Sequence, residues 1–104
     1  MDIQLKKGVL DMCILYILDR NDSYGYDITE KISKFIDVSE GTVYPILRKL
    51  KDDNFLTTYL KESMDGPPRK YYKITDLGKK RYQKLKEDWD KINLQVNKLI
   101  KENV

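Results

Sequence analysis

Histidine is absent from the 104 residues, and cysteine and tryptophan occur once each. Each scarcity removes a class of chemistry. Without histidine there is no imidazole to act as general base or metal ligand, and with Cys13 alone no disulfide framework closes within one chain. The five glycines are scattered and none belongs to a phosphate-cradling loop. There is no Ser/His or Cys/His arrangement and no carboxylate pair in an apolar setting, so neither an enzyme nor a metal or cofactor is expected. Long hydrophobic runs are missing too. The stretch Met12-Cys13-Ile14-Leu15-Tyr16-Ile17-Leu18, bracketed by Asp11 and Asp19, is far shorter than the roughly 20 residues a bilayer crossing needs. No small-residue cleavage site follows it, so it is not a signal peptide and no membrane partner is expected. A free thiol inside such a run fits a reducing cytoplasm.

What is present is charge. Twenty basic and 17 acidic side chains leave a net charge of only +3, which by itself points to no partner. The distribution is more telling. Between Arg69 and Lys86 lie eight basic residues and a single acid, Asp76, the footprint of a polyanion contact or of a solvated helix face.

The length is that of one domain, and the chain carries no low-complexity linker and no internal repeat. A first helix, from about Gln4 to Asp19, is apolar nearly all round in its second half, as a central buried helix would be. Asn21-Asp22-Ser23 is expected to end it and cap a second helix, about Tyr24 to Phe35, with Ile28, Ile32 and Phe35 on one face. A third helix has Ser39 as expected N-cap and Val43, Ile46, Leu47 and Leu50 at helical spacing. Its other face carries Glu40, Thr42, Tyr44, Arg48 and Lys51. Asn54 fits a left-handed residue just past its end. Two strands follow, Leu56 to Lys61 and Lys70 to Ile74, around a Met64-Asp65-Gly66-Pro67-Pro68 turn. The prolines fix φ and cannot donate to a ladder, which places Arg69 and Lys70 where strand meets solvent while Tyr72 and Ile74 face the core.

Helix, helix, helix, hairpin is the order of a winged helix-turn-helix, in which the second helix of the pair enters the major groove and the hairpin reaches backbone or minor groove. Pro45 interrupts the third helix. Either the first turn is irregular and presents Thr42 and Tyr44 to the groove, or the helix starts later with Thr42 as cap.

Three segments, Tyr24-Gly25-Tyr26-Asp27-Ile28, Gly41 to Leu50, and Gly66 to Thr75 with Gly78, resemble the PadR family of bacterial transcriptional regulators in order and spacing over about residues 8 to 82. The resemblance implies a cytoplasmic winged-helix homodimer that represses transcription from a double-stranded DNA operator. It implies Ser39, Thr42, Tyr44 and Arg48, with Lys49 beside them, as recognition-helix contacts, and Arg69 and Lys70 as wing contacts. The runner-up is a winged-helix protein-interaction module without an operator, binding an acidic partner through the hairpin and the basic stripe.

The fold expected is therefore mainly α with a small β-hairpin: residues 1–75 a winged helix-turn-helix unit, residues 76–104 a C-terminal dimerisation helix capped by Thr75. Tyr82, Leu85, Trp89, Ile92, Val96 and Leu99 follow one another at intervals of 3, 4, 3, 4 and 3, which is a heptad seam. Trp89 reads from the residues as a packed interface aromatic or as a ligand platform. In the small multidrug-sensing PadR-like regulators a tryptophan at the matching place stacks flat aromatic compounds across the dimer axis. The resemblance thus implies a planar aromatic effector at Trp89, with Ile92, Met12 and Tyr16 as walls.

Overall fold

The centre of the molecule is the second half of the first helix, α1 (Ile3–Arg20). Its Leu10, Ile14, Leu15 and Leu18 are sealed from solvent. The computed structural model describes residues 3–102, and the side chains of residues 8–102; the last residues of the expected dimerisation helix, 103–104, lie outside the described residues.

Around α1 pack α2 (Gly25–Ser33), α3 (Glu40–Asp52), a hairpin of β2 (Leu56–Ser63) and β3 (Gly66–Ile74), and the long α4 (Asp76–Lys101). Ile28 and Ile32 of α2, Val43, Leu47 and Leu50 of α3, Leu56 of β2, and Tyr72 and Ile74 of β3 complete one core. Apolar burial at these positions, about 1.5–3 kcal/mol per large side chain, is what holds short helices that would not persist alone.

The end of α3 is a full Schellman motif. Asn54 has φ 66°, Phe55 N donates to Leu50 O at 2.9 Å and Asn54 N to Lys51 O at 3.0 Å, as the left-handed residue read from sequence requires. Thr75 then caps α4, its Oγ1 accepting from Gly78 N at 2.9 Å and donating to Asn54 O at 2.8 Å. One threonine so ties the start of α4 to the end of α3. Position 78 must lack a side chain, because a Cβ there would collide with the Phe55 carbonyl and the Ile74 side chain.

Five expectations need correction. A third strand exists: Ser23 and Tyr24 form β1, paired antiparallel with Tyr72 and Tyr71, in the sheet order β1-β3-β2. The N-cap of α2 is accordingly Tyr24 with no side-chain cap, and not the Asn21-Asp22-Ser23 segment. Helix α2 stops at Ser33, so Phe35 misses the core and is 88% exposed. Pro67 and Pro68 lie inside β3, near its exposed start, and the tip is Met64-Asp65; the hairpin carries an irregularity between Lys61 and Ser63, where missing donors are tolerated. The later start for α3 also fails. Helical residues begin at Glu40 after Ser39, whose carbonyl accepts from Thr42 N and Val43 N, and Pro45 sits within the helix. Gly41, whose carbonyl would face the absent N–H, is exposed.

Candidate nucleic-acid interface

Helix α3 presents Val43, Leu47 and Leu50 inward, which turns Arg48, Pro45 and Asp52 outward by helical geometry. Beside it the sheet offers Arg69 and Lys70. Between the two runs an open cleft of about 490 Å³, lined by Tyr24, Gly25, Tyr44, Arg48, Lys51, Asp52, Arg69, Lys70 and Tyr72. Four of its nine lining residues are cations, on both walls, and one is an acid.

Each wall is held in place by aromatic packing. The far end of the Tyr44 ring packs beside Gly25, so close that a Cβ there would stand 2.5 Å from it. Tyr72 lies beneath, buried; burial and the neighbouring Tyr44 phenol push its hydroxyl pKa up, with the Arg48 guanidinium pulling the other way. Burial and Glu40 likewise raise Tyr44. Both phenols therefore stay protonated at neutral pH and can donate hydrogen bonds.

On the outer face of the sheet Tyr24, Tyr71 and Tyr59 form a ladder across β1, β3 and β2, with ring centroids 5.5 and 5.8 Å apart. The Arg69 guanidinium covers Tyr24 at 4.6 Å and the Lys61 ammonium covers Tyr71 at 5.1 Å. Lys61 and Arg69 are direct cross-strand partners. Like charges so placed repel, and cation–π contacts offset part of that.

The structure brings Tyr44, Arg48, Arg69 and Lys70 together around the cleft. Ser39 and Thr42 stand at the start of α3, their hydroxyls 3.5 Å apart, outside the cleft lining. Lys49 is not part of the cleft lining; its half-exposed side chain reaches Asp11 of α1 at 2.7 Å. Sequence reading overlooked Tyr24, Gly25, Asp52 and Tyr72 as cleft residues. The tyrosine-glycine-tyrosine run was the available signal, since a glycine between rings marks a close approach.

The dimer and effector residues divide. Tyr82 and Leu85 pack against the chain's own core, Tyr82 at 5.9 Å from the Tyr16 ring, whereas every residue from Lys86 to Lys101 is exposed. Met12 and Tyr16 line a second, apolar groove of about 510 Å³ with Cys13, Ile17, Ile32, Phe35, Ile36 and Tyr82, and with Lys31 and Lys86 at its rim. Trp89 and Ile92 are not part of its lining; they lie further along α4. Burial raises the Cys13 thiol pKa, which keeps it a packing group at neutral pH.

A recognition helix flanked by a cation-bearing β-hairpin defines a winged helix-turn-helix protein. The chain belongs to the transcriptional regulator PadR-like family, whose pattern matches residues 14–84, and it is a transcriptional regulator rather than an enzyme. A PadR-like transcriptional regulator from Bacillus cereus is 41% identical with a TM-score of 0.84, over 93% of this chain and 96% of that one. A PadR-like transcription factor from Bacteroides fragilis is 40% identical with a TM-score of 0.78, over 92% and 94%. The negative transcriptional regulator PadR of Bacillus subtilis is 36% identical over 87 residues, which are 78% of this chain and 44% of that protein. No described helix is long and apolar enough to cross a membrane.

Proposed function

We propose that the protein is a homodimeric repressor that grips a pseudo-palindromic operator, with α3 in the major groove and the hairpin as its wing. The observation that carries this is the cleft between α3 and β3, with Arg48 and Lys51 on one wall and Arg69 and Lys70 on the other. Cations on both walls suit a phosphate backbone, and Arg48 on the outward face suits the guanine edge. Ser39, Thr42 and Tyr44 complete the recognition-helix contacts.

Dimerisation is assigned to α4. Its 26 residues at about 1.5 Å each make a rod of roughly 39 Å, on a molecule of 57 × 27 × 20 Å. Trp89, Ile92, Val96 and Leu99 line the projecting part at heptad spacing, and none of the described chain covers them. A second copy of α4 is the partner whose spacing matches. In such a dimer a planar aromatic effector would stack on Trp89 and contact Ile92, with Met12 and Tyr16 as the outer walls.

The test is selection of bound fragments from the organism's own genomic DNA. A dimer of this kind returns an inverted repeat with half-sites about one helical turn, or a multiple, apart. Retained fragments without symmetry overturn the two-fold arrangement, and none retained above background favours a protein-interaction module instead. For the effector, planar cationic, anionic and neutral aromatics are titrated against Trp89 fluorescence and operator binding. Binding quenches the indole and, by linkage, lowers operator affinity; a panel that moves neither at saturation leaves Trp89 a packing residue.

A further inference from the structure

Lys49 follows Arg48 on the recognition helix, yet its ammonium is already engaged. It donates to Asp11 Oδ2 at 2.7 Å. The pairs Lys31–Asp27, Lys84–Asp88 and Lys86–Asp90 each span one turn of a single helix; this one joins α3 to α1. Asp11 is 7% exposed, and its Oδ1 is buried and accepts no hydrogen bond from the described residues. Taking an ion out of water with only one oxygen partnered is expensive, and an apolar residue of similar size would pack there at lower cost. Stability is thus a poor reason for a carboxylate at this position. The Lys49 side chain, by contrast, is 54% exposed, so its ammonium remains at the surface of the helix that carries Arg48.

We propose that Asp11 is an internal competitor for DNA phosphate, which holds the Lys49 ammonium off the backbone and so restrains sequence-independent affinity. This rests on duplex binding through α3 and the wing. A carboxylate oxygen and a phosphate oxygen are equivalent acceptors for one ammonium, each forming a short charge-assisted hydrogen bond. The internal acceptor has the advantage of position, since Asp11 is fixed on α1 beside buried Leu10 and one turn from Ile14 and Leu15. Non-specific binding comes almost entirely from phosphate neutralisation, whereas operator binding adds base contacts. Masking one cation per subunit therefore lowers affinity for every duplex alike, whatever its sequence. Asp11, nearly buried on α1, becomes a positioning residue that sets duplex affinity through Lys49.

The experiment measures affinity for a random-sequence duplex and for a selected genomic fragment across a range of potassium chloride. Wild type, Asp11→Asn and the double variant Asp11→Asn/Lys49→Met are compared, with thermal melts to verify folding. Asp11→Asn keeps the shape of the side chain and removes the charge. It is expected to bind both duplexes more tightly at low salt, to steepen the slope of log K against log salt by about 0.9 for each Lys49 released, and to leave the preference for the genomic fragment unchanged. The double variant returns to the wild-type slope. An unchanged slope in folded Asp11→Asn overturns the proposal. Should that variant fail to fold, Asp11→Leu/Lys49→Met replaces the pair by apolar groups: the wild-type slope supports masking, and a slope shallower by about 0.9 per subunit shows that Lys49 already meets phosphate and overturns it. Wild-type protein with no salt-dependent duplex binding overturns the DNA reading and this one together, whereas salt-dependent wild-type binding with a flat mutant series overturns this one alone.

Discussion

Gly25 and Tyr44 behave as a single unit, because the phenol ring lies where a Cβ on residue 25 would stand. Gly25→Ala meets only the far end of a side chain, and alanine favours the helix that starts there, so the fold should survive with a melting temperature near that of wild type. Tyr44 should swing out, and operator affinity should fall by about 1–3 kcal/mol if its phenol reads a base edge. Tyr44→Ala added to Gly25→Ala should then cost little more, a non-additivity that a double-mutant cycle reads directly. Fully additive losses would show the two positions to be independent. Arg48 and Lys70, on opposite walls of the cleft, should differ in kind. Arg48→Ala is expected to narrow the gap between operator and random duplex, while Lys70→Ala weakens both alike and flattens the salt slope by about 0.9 per subunit. Identical behaviour of the two would remove the distinction between reading and gripping.

Among the elements, α3 carries the clearest local conflict. Pro45 lies within the helix, six residues into it counting from Glu40, where proline removes a hydrogen bond at about 3 kcal/mol in a generic interior. The exposed Gly41 carbonyl softens that loss by facing solvent. Pro45→Ala should raise the melting temperature by several degrees, at about 4–8 °C per kcal/mol for a domain near this size. An unchanged or lower value would mean that the helix is already adjusted to the ring. Local chemistry of this sort was readable in advance: Asn54 at the end of α3 and Thr75 at the start of α4 act as their side chains dictate. Strand β1 was not, since two residues carry no alternation and Ser23-Tyr24 is a strand only because Tyr71 and Tyr72 come alongside. Phe35 misled because helical spacing continues past Ser33 without a glycine or proline to stop it. The partner of Lys49 was not legible either, as nothing near it in sequence announces Asp11 on another helix.

At the scale of the whole molecule, the heptad-spaced residues of α4 fall into two environments, one packed and one exposed. Its first two members, Tyr82 and Leu85, pack on the chain's own core, and spacing alone could not tell an internal partner from an external one. A mutational test of dimerisation therefore belongs further along, because Leu85→Lys would damage the monomer as well. Ile92→Lys places a charge at an exposed position, and should leave the monomer folded while sedimentation shows the dimer lost and operator affinity reduced at least tenfold, the loss of about 1.4 kcal/mol or more. A dimer that persists in Ile92→Lys would move the interface elsewhere.

The most direct measurement of a DNA-gripping cleft between α3 and the wing is the affinity of the wild-type protein for a selected genomic fragment and for random duplex, followed across salt concentration. Cations on both walls predict a linear fall of log K with log salt for both duplexes, and base reading by α3 predicts a preference for the selected fragment that survives as salt rises. Affinity that ignores salt, or that is equal for the two duplexes at every salt concentration, would contradict it.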